Sequence, residues 1–124
     1  MKAAVEIPYY AQGARGASRY GEYIVRALGR SCPQDRFAVV NYFHGDYEKH
    51  LARLSALKAP NVELAVPKWP QRAVEFAERR LGWPVVEERL VKPWGAEVFH
   101  HMGTHAVGET PAVITFFGAA MDFF

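Results

Sequence analysis

The chain holds a single cysteine, Cys32, among 124 residues. An internal disulfide framework and a cysteine-rich zinc site are therefore excluded. Cys32 sits beside Pro33 with no base near it in sequence, so an inert thiol is expected. No apolar run approaches the roughly 18 residues that a membrane-spanning helix needs. Residues 1–7 are too short an apolar stretch for a secretory leader, and Glu6 interrupts them. No block of one charge sign stands out either. Fifteen basic residues face thirteen acidic ones, and the arginines are scattered, as in Arg15, Arg19, Arg26 and Arg30. No nucleic-acid footprint is expected from such a distribution. There is no internal repeat, no low-complexity segment and no linker. A reduced, cytoplasmic protein is the expectation.

What is present is ordinary for a folded domain. Half of the residues are apolar and 23% are charged, which argues against general disorder. The length allows one domain, spanning residues 1–124. Residues 2–7 read as a buried strand stopped by Pro8, followed by a glycine-containing loop. A helix is predicted over 18–30, with Ser18 as N-cap and Tyr20, Ile24, Ala27 and Leu28 on its inner face. A second strand is predicted over 36–42. A helix over 47–57 follows, capped by Asp46, with Leu51, Leu54 and Leu57 inward. Alternation at Val62, Leu64 and Val66 predicts a third strand near a sheet edge. Further helices are predicted over 70–81, with Val74, Ala77 and Leu81 inward, and over 84–91, with Val86 and Leu90 inward. Strands are predicted over 97–100 and 112–117; the second is apolar throughout and is expected to be covered on both faces.

Strands alternate with helices along the whole chain. The expected fold is α/β: a Rossmann-like, doubly wound parallel sheet of order 3-2-1-4-5 in three α/β/α layers. In that order the carboxyl ends of strands one and four flank the topological switch point, where a ligand crevice is expected.

The loop Gly13-Ala14-Arg15-Gly16-Ala17-Ser18-Arg19 would lie between the first strand and the first helix. Glycine there lets a ligand approach the backbone, and a helix N-terminus attracts phosphate. The spacing fits neither the dinucleotide fingerprint nor a P-loop. His100, His101 and His105 cluster after the fourth strand. Their spacing matches no common zinc template, so no metal is expected; one is read as packed under the sheet or facing the cleft. His44 and His50 are expected at the surface. Trp69, Trp83 and Trp94 each neighbour a proline and are expected to pack helix ends.

Three segments together resemble glycosyltransferase family 4. Arg15-Gly16-Ala17-Ser18-Arg19-Tyr20 and the helix to Ala27-Leu28 resemble its first loop and helix, although Ser18 stands where a second glycine is usual. Ala96-Glu97-Val98-Phe99-His100 resembles its Ala-Asp-Val-Phe-His. Thr110-Pro111-Ala112-Val113-Ile114-Thr115 resembles its Thr-Pro-Val-Val-Val-Thr. The resemblance implies a GT-B fold and a retaining enzyme that uses a nucleotide-sugar as co-substrate and no further cofactor. It implies that this chain is part of the amino-terminal, acceptor-side domain, which meets a donor-binding domain or separate subunit. Carried over residue by residue, Gly16 would contact donor phosphate or acceptor, Arg19 would face the cleft or an acidic neighbour, and His100 and the loop to His105 would line the acceptor side. A sugar or lipid acceptor is implied.

Two departures bear on activity. Phe117 and Gly118 stand where the family usually has His-Asp, and phenylalanine neither donates a hydrogen bond nor carries charge. The chain also lacks a donor domain and ends on Met121-Asp122-Phe123-Phe124, so it reads as the front part of something longer. The alternative expectation is a non-catalytic binding or subunit protein. In either case the strand at 112–117 is expected to self-associate through its edge.

Overall fold

The computed structural model describes residues 1–7, 16–43, 45–101 and 108–114. Five strands form one sheet: β1 (Lys2–Glu6), β2 (Arg36–Val40), β3 (Val62–Ala65), β4 (Val98–His101) and β5 (Ala112–Ile114). Their order is β3-β2-β1-β4-β5 and every neighbouring pair is parallel. The expected α/β, doubly wound sheet is therefore the observed one. Parallel neighbours require crossovers, and the helices supply them. These are α1 (Gly16–Ser31), α2 (Tyr47–Ser55), α3 (Gln71–Arg80) and the short α4 (Lys92–Trp94).

The core has two halves, one on each face of the sheet. Ala3 and Val5 of β1, and Ile7 just after it, point toward α1 and α2, packing with Val25, Val39 and Leu54. Ala4 points the other way, to a cluster with Ala38, Val40, Val86, Val91 and Phe99. The alternation of a strand thus serves two cores at once, because β1 is covered on both sides.

The inner face of α1 differs from expectation. Its buried residues are Ser18, Gly21, Glu22 and Val25, whereas Tyr20 is 36% exposed. The apolar stripe alone misleads because the closest contact uses glycine. A Cβ at Gly21 would stand 3.0 Å from Ile7 Cγ1, so its absence lets α1 lie close on β1. Glu22 tolerates burial because Arg53 of α2 grips it with two bonds, Nε to Oε2 at 2.7 Å and Nη2 to Oε1 at 3.1 Å. Ser18 is not the N-cap: α1 starts two residues earlier, at Gly16, and Ser18 is buried in its first turn.

Asp46 occupies the N-cap position of α2 but makes no capping side-chain bond. Its φ of 55° is left-handed, whereas a capping side chain needs an extended backbone to reach the helix amides. Leu81 is 66% exposed rather than inward, because α3 ends at Arg80 and Gly82 turns the chain at φ 67°. The buried face of α3 carries Val74 and Glu78. The predicted helix over 84–91 proves to be a π-helical turn at Glu87–Val91 that runs into α4. Pro93 lies in α4 and cannot donate a backbone bond; just upstream the Lys92 N–H donates five residues back, to the Glu87 carbonyl.

The expectation that the last strand is covered on both faces fails for its described part. β5 ends the described sheet, and Val113 is 52% exposed. Apolar sequence had suggested cover on both faces, but β5 stands at the edge of the described sheet, beside β4 alone. Residues 115–117 of that expected strand lie outside the described residues.

The Gly21 contact gives a stability prediction. Gly21→Val places a branched side chain against Ile7 and should cost about 1–3 kcal/mol in urea denaturation. Gly16→Ala meets nothing within 4 Å and should stay within about 0.5 kcal/mol of the parent.

Candidate functional site at the carboxyl edge of the sheet

The sheet reverses its order between β1 and β4, so their carboxyl ends frame the switch point. β1 ends on Glu6, which is 1% exposed. The register Val5↔His100 places the next residues, Glu6 and His101, side by side on adjacent strands. Both belong to the face of Ala4 and Phe99, since side chains two apart share a face. His101 is 1% exposed and its ring lies 5.0 Å from that of Phe99. It is the histidine packed under the sheet.

Two further elements close around this pair. Just beyond β2, Asn41 is buried and its Nδ2 donates to the Ile7 carbonyl at 2.9 Å, pinning the end of the first strand. Tyr42 follows, half-buried, with its ring 5.9 Å from Trp69. From α3 comes the buried Glu78. The phenol of Tyr42 is pushed up to about 12, first by burial and then by the negative charges of Glu78, Glu75 and Glu6. That coupling puts Tyr42 within electrostatic reach of Glu6 and Glu78. The polar cluster of this edge is therefore the adjacent pair Glu6 and His101, with Tyr42 coupled electrostatically to Glu6 and to Glu78. A cavity of about 520 Å³ lined by Gly45, Pro70, Gln71, Arg72 and Glu75 opens on the same edge, beyond β2 and β3.

Three of the residues singled out in sequence, Gly16, Arg19 and His100, are among the described residues. Gly16 is the first residue of α1 and is exposed, with nothing within 4 Å of a Cβ placed there, so packing does not require its glycine. Arg19 is exposed one turn into α1. His100 is half-buried on the α1 side of β4, and burial lowers its basicity while the Glu6 charge opposes that shift. The topology brings Gly16, Arg19 and His100 to one edge, because α1 begins where β1 ends and β4 is the neighbour of β1. His105, Phe117 and Gly118 lie outside the described residues, as do the loops at 8–15 and 102–107 that were expected to wall the cleft. His50 is not at the surface: it is 9% exposed, its ring is 4.6 Å from Phe43, and burial lowers its basicity.

Sequence reasoning missed Glu6, Tyr42, Glu78 and His101 as members of one cluster. The signal for Glu6 was available: a carboxylate at the end of an apolar central strand must meet polar company when buried. It also missed Glu87 of the π-helical turn. This fully buried carboxylate accepts the backbone N–H of Gly108 at 3.0 Å and of Glu109 at 3.1 Å, and so holds the lead into β5. A Cβ at 108 would collide with that carboxylate, which is why glycine stands there. Among the described residues no group of three or more histidine, cysteine or acidic side chains has the arrangement of a metal site. No helix is long and apolar enough to cross a membrane among those residues.

Tyr42 and two buried or half-buried histidines make stability depend on pH at both ends. Tyr42 titrates at about 12 instead of 10, so between those values the unfolded chain releases a proton that the folded chain keeps. Stability should fall as pH rises from 10, and Tyr42→Phe should flatten that fall. His50 and His100 are both lowered from 6.5, so below that value the unfolded chain binds protons first. Stability should therefore decline as pH drops through about 6.5, with a shallower slope in His50→Gln and His100→Gln. Urea denaturation across the pH range measures both limbs.

Comparison of the chain with protein-family profiles, with curated proteins and with solved structures finds no match.

Proposed function

We propose that this chain is the amino-terminal, acceptor-side domain of a retaining, nucleotide-sugar-dependent glycosyltransferase, which passes a hexose to a sugar or lipid acceptor once a donor-binding domain or subunit completes the cleft. The observation that supports the reading is the polar cluster at the switch point, on the sheet edge where two of the segments that resemble glycosyltransferase family 4 also lie, the start of α1 and the end of β4. The buried carboxylates of Glu6 and Glu78 keep the wall behind this edge polar. Tyr42 and Trp69, both only partly covered, add aromatic surface of the kind that packs against sugar rings. His100 and Arg19 lie at the same edge and would orient the acceptor and meet donor phosphate.

In this reading the domain alone does not turn over. Transfer needs donor and acceptor held in line, and such orientation supplies about 7–11 kcal/mol of a barrier in favourable cases. Isotope-labelled protein titrated with mono- and disaccharide acceptors should show amide shifts at Glu6, Tyr42 and His100, weakened in Tyr42→Phe. No nucleotide-sugar should be consumed above the level of a Gly16→Trp control. Shifts confined to other regions, or clear turnover by the 124-residue chain, would defeat the reading.

Phe117 and Gly118 favour a second reading, a subunit that binds sugar without catalysing transfer. The two part when a donor domain is supplied: transfer marks the enzyme, and intact sugar binding without transfer marks the binding subunit.

The proposal extends to the edge strand. Among the described residues β5 pairs with β4 alone, and the sequence of 112–117 has no charge or proline to discourage further pairing. A second copy of the chain would pair there. Light scattering should report a dimer or larger species that Val113→Lys returns to monomer. A monomer at high concentration in the parent protein would count against edge pairing.

A further inference from the structure

At the opposite, amino edge of the sheet a groove of about 390 Å³ opens between the carboxyl half of α1 and the loop from α2 into β3. Its floor is apolar, with Pro33, Leu57 and Val62 among the lining residues. Arg26, Arg30 and Lys58 also line it, and no carboxylate does. All three cations are exposed, and none is in an ion pair among the described residues. Arg26 and Arg30 stand four apart on one helix, a spacing that sets like charges side by side and disfavours the helix slightly.

The groove is held open by its own hydrogen bonds. Asn61 Nδ2 donates to the carbonyls of Gly29 at 3.1 Å, Cys32 at 3.2 Å and Asp35 at 3.2 Å. One amide thus clamps the end of α1 to the loop before β3, so both walls are fixed before any ligand arrives. Gly29 permits the approach, since a Cβ there would stand 3.1 Å from Val62 Cγ2. The carboxyl end of α1 opposes an anion with about half a negative charge. Three full positive charges outweigh it, and Asn61 already donates to the Gly29 carbonyl in the last turn of the helix and to that of Cys32 just beyond it.

We propose that this groove is a second binding site, for a soluble organic anion that carries a phosphate or carboxylate on an apolar body. The apolar floor selects against inorganic phosphate, and the three cations select against a neutral hydrophobe. The site lies across the sheet from the carboxyl-edge cluster and does not depend on the function proposed for that cluster.

The probe is 1-naphthyl phosphate, titrated into isotope-labelled full chain, with inorganic phosphate and 1-naphthol as the two half-ligands. The ester should bind at least about tenfold more tightly than either half, with amide shifts at Gly29, Lys58 and Asn61. The exposed pair Arg26→Gln with Arg30→Gln should weaken it about tenfold or more at unchanged thermal stability, and Lys58→Gln should weaken it independently. Equal binding of either half-ligand, shifts away from those residues, or affinity unchanged in the arginine variant would overturn the proposal. Cosedimentation with anionic phospholipid vesicles that the arginine variant loses, without binding of the soluble ester, would also overturn it and make the face a membrane surface.

Discussion

The parallel register of β1 on β4 sets what the carboxyl edge contains. Because Ala4 meets Phe99 and Val5 meets His100, Glu6 ends up beside His101 on the face that also carries Val40 and Val86. A slip of one residue would turn Glu6 toward the apolar contacts of α1 and carry His101 away from it. Burial of a carboxylate is tolerable only in polar company, so this register is bound energetically to the polar cluster around it. The same register leaves His100 on the α1 side, where it shares an edge with Gly16 and Arg19. One pairing therefore distributes the candidate residues between the two faces of the sheet.

The amino edge is built by a different kind of interaction. Lys2 Nζ donates to the Trp94 carbonyl at 3.1 Å and sits 5.3 Å from its ring centre, with Arg36 at 6.0 Å on the same ring. The Trp94 indole N–H donates to Glu63 of β3. The amine of Met1 reaches Asp35 at 3.0 Å, which raises its affinity for a proton. These contacts tie the starts of three adjacent strands to the helix that follows the π-helical turn. They are mostly exposed, so each contributes little alone. Their value lies in fixing the strand starts, and through them the register that the carboxyl edge depends on.

Much of the fold was legible because its signals are local and periodic. The apolar run at 2–7, the alternation at 62–66 and the regular exchange of strand and helix each specify an element without tertiary context. The strand order then follows from chirality and crossover rules. The inner face of α1 was not legible, because its closest contact is made by the absence of a side chain at Gly21. Nor was the π-helical turn, since Pro93 and the upstream hydrophobics look like an ordinary helix end. Glu6 was read as an interruption to an apolar run. Its role depends on which residue lies beside it in β4, and that is fixed only by long-range pairing. Tyr42 and Glu78 reach the cluster from separate elements, so no window of sequence contains them together.

The scattered arginines make the same point about charge. In sequence Arg26, Arg30 and Lys58 form no block, and their distribution gave no sign of a binding footprint. Folding collects them because α1 returns antiparallel to the strands, which places its carboxyl end at the amino edge beside the entry to β3. Basic residues at helix carboxyl ends are favoured by the dipole in any case, and Arg30, Arg53, Arg79 and Arg80 all occupy last turns. That account covers Arg30. It does not cover Arg26, more than a full turn from the end of α1, or Lys58, which lies in the loop after α2. Helix stabilisation therefore explains one of the three cations in the groove, and the convergence of all three over an apolar floor is the observation on which the proposed anion site rests.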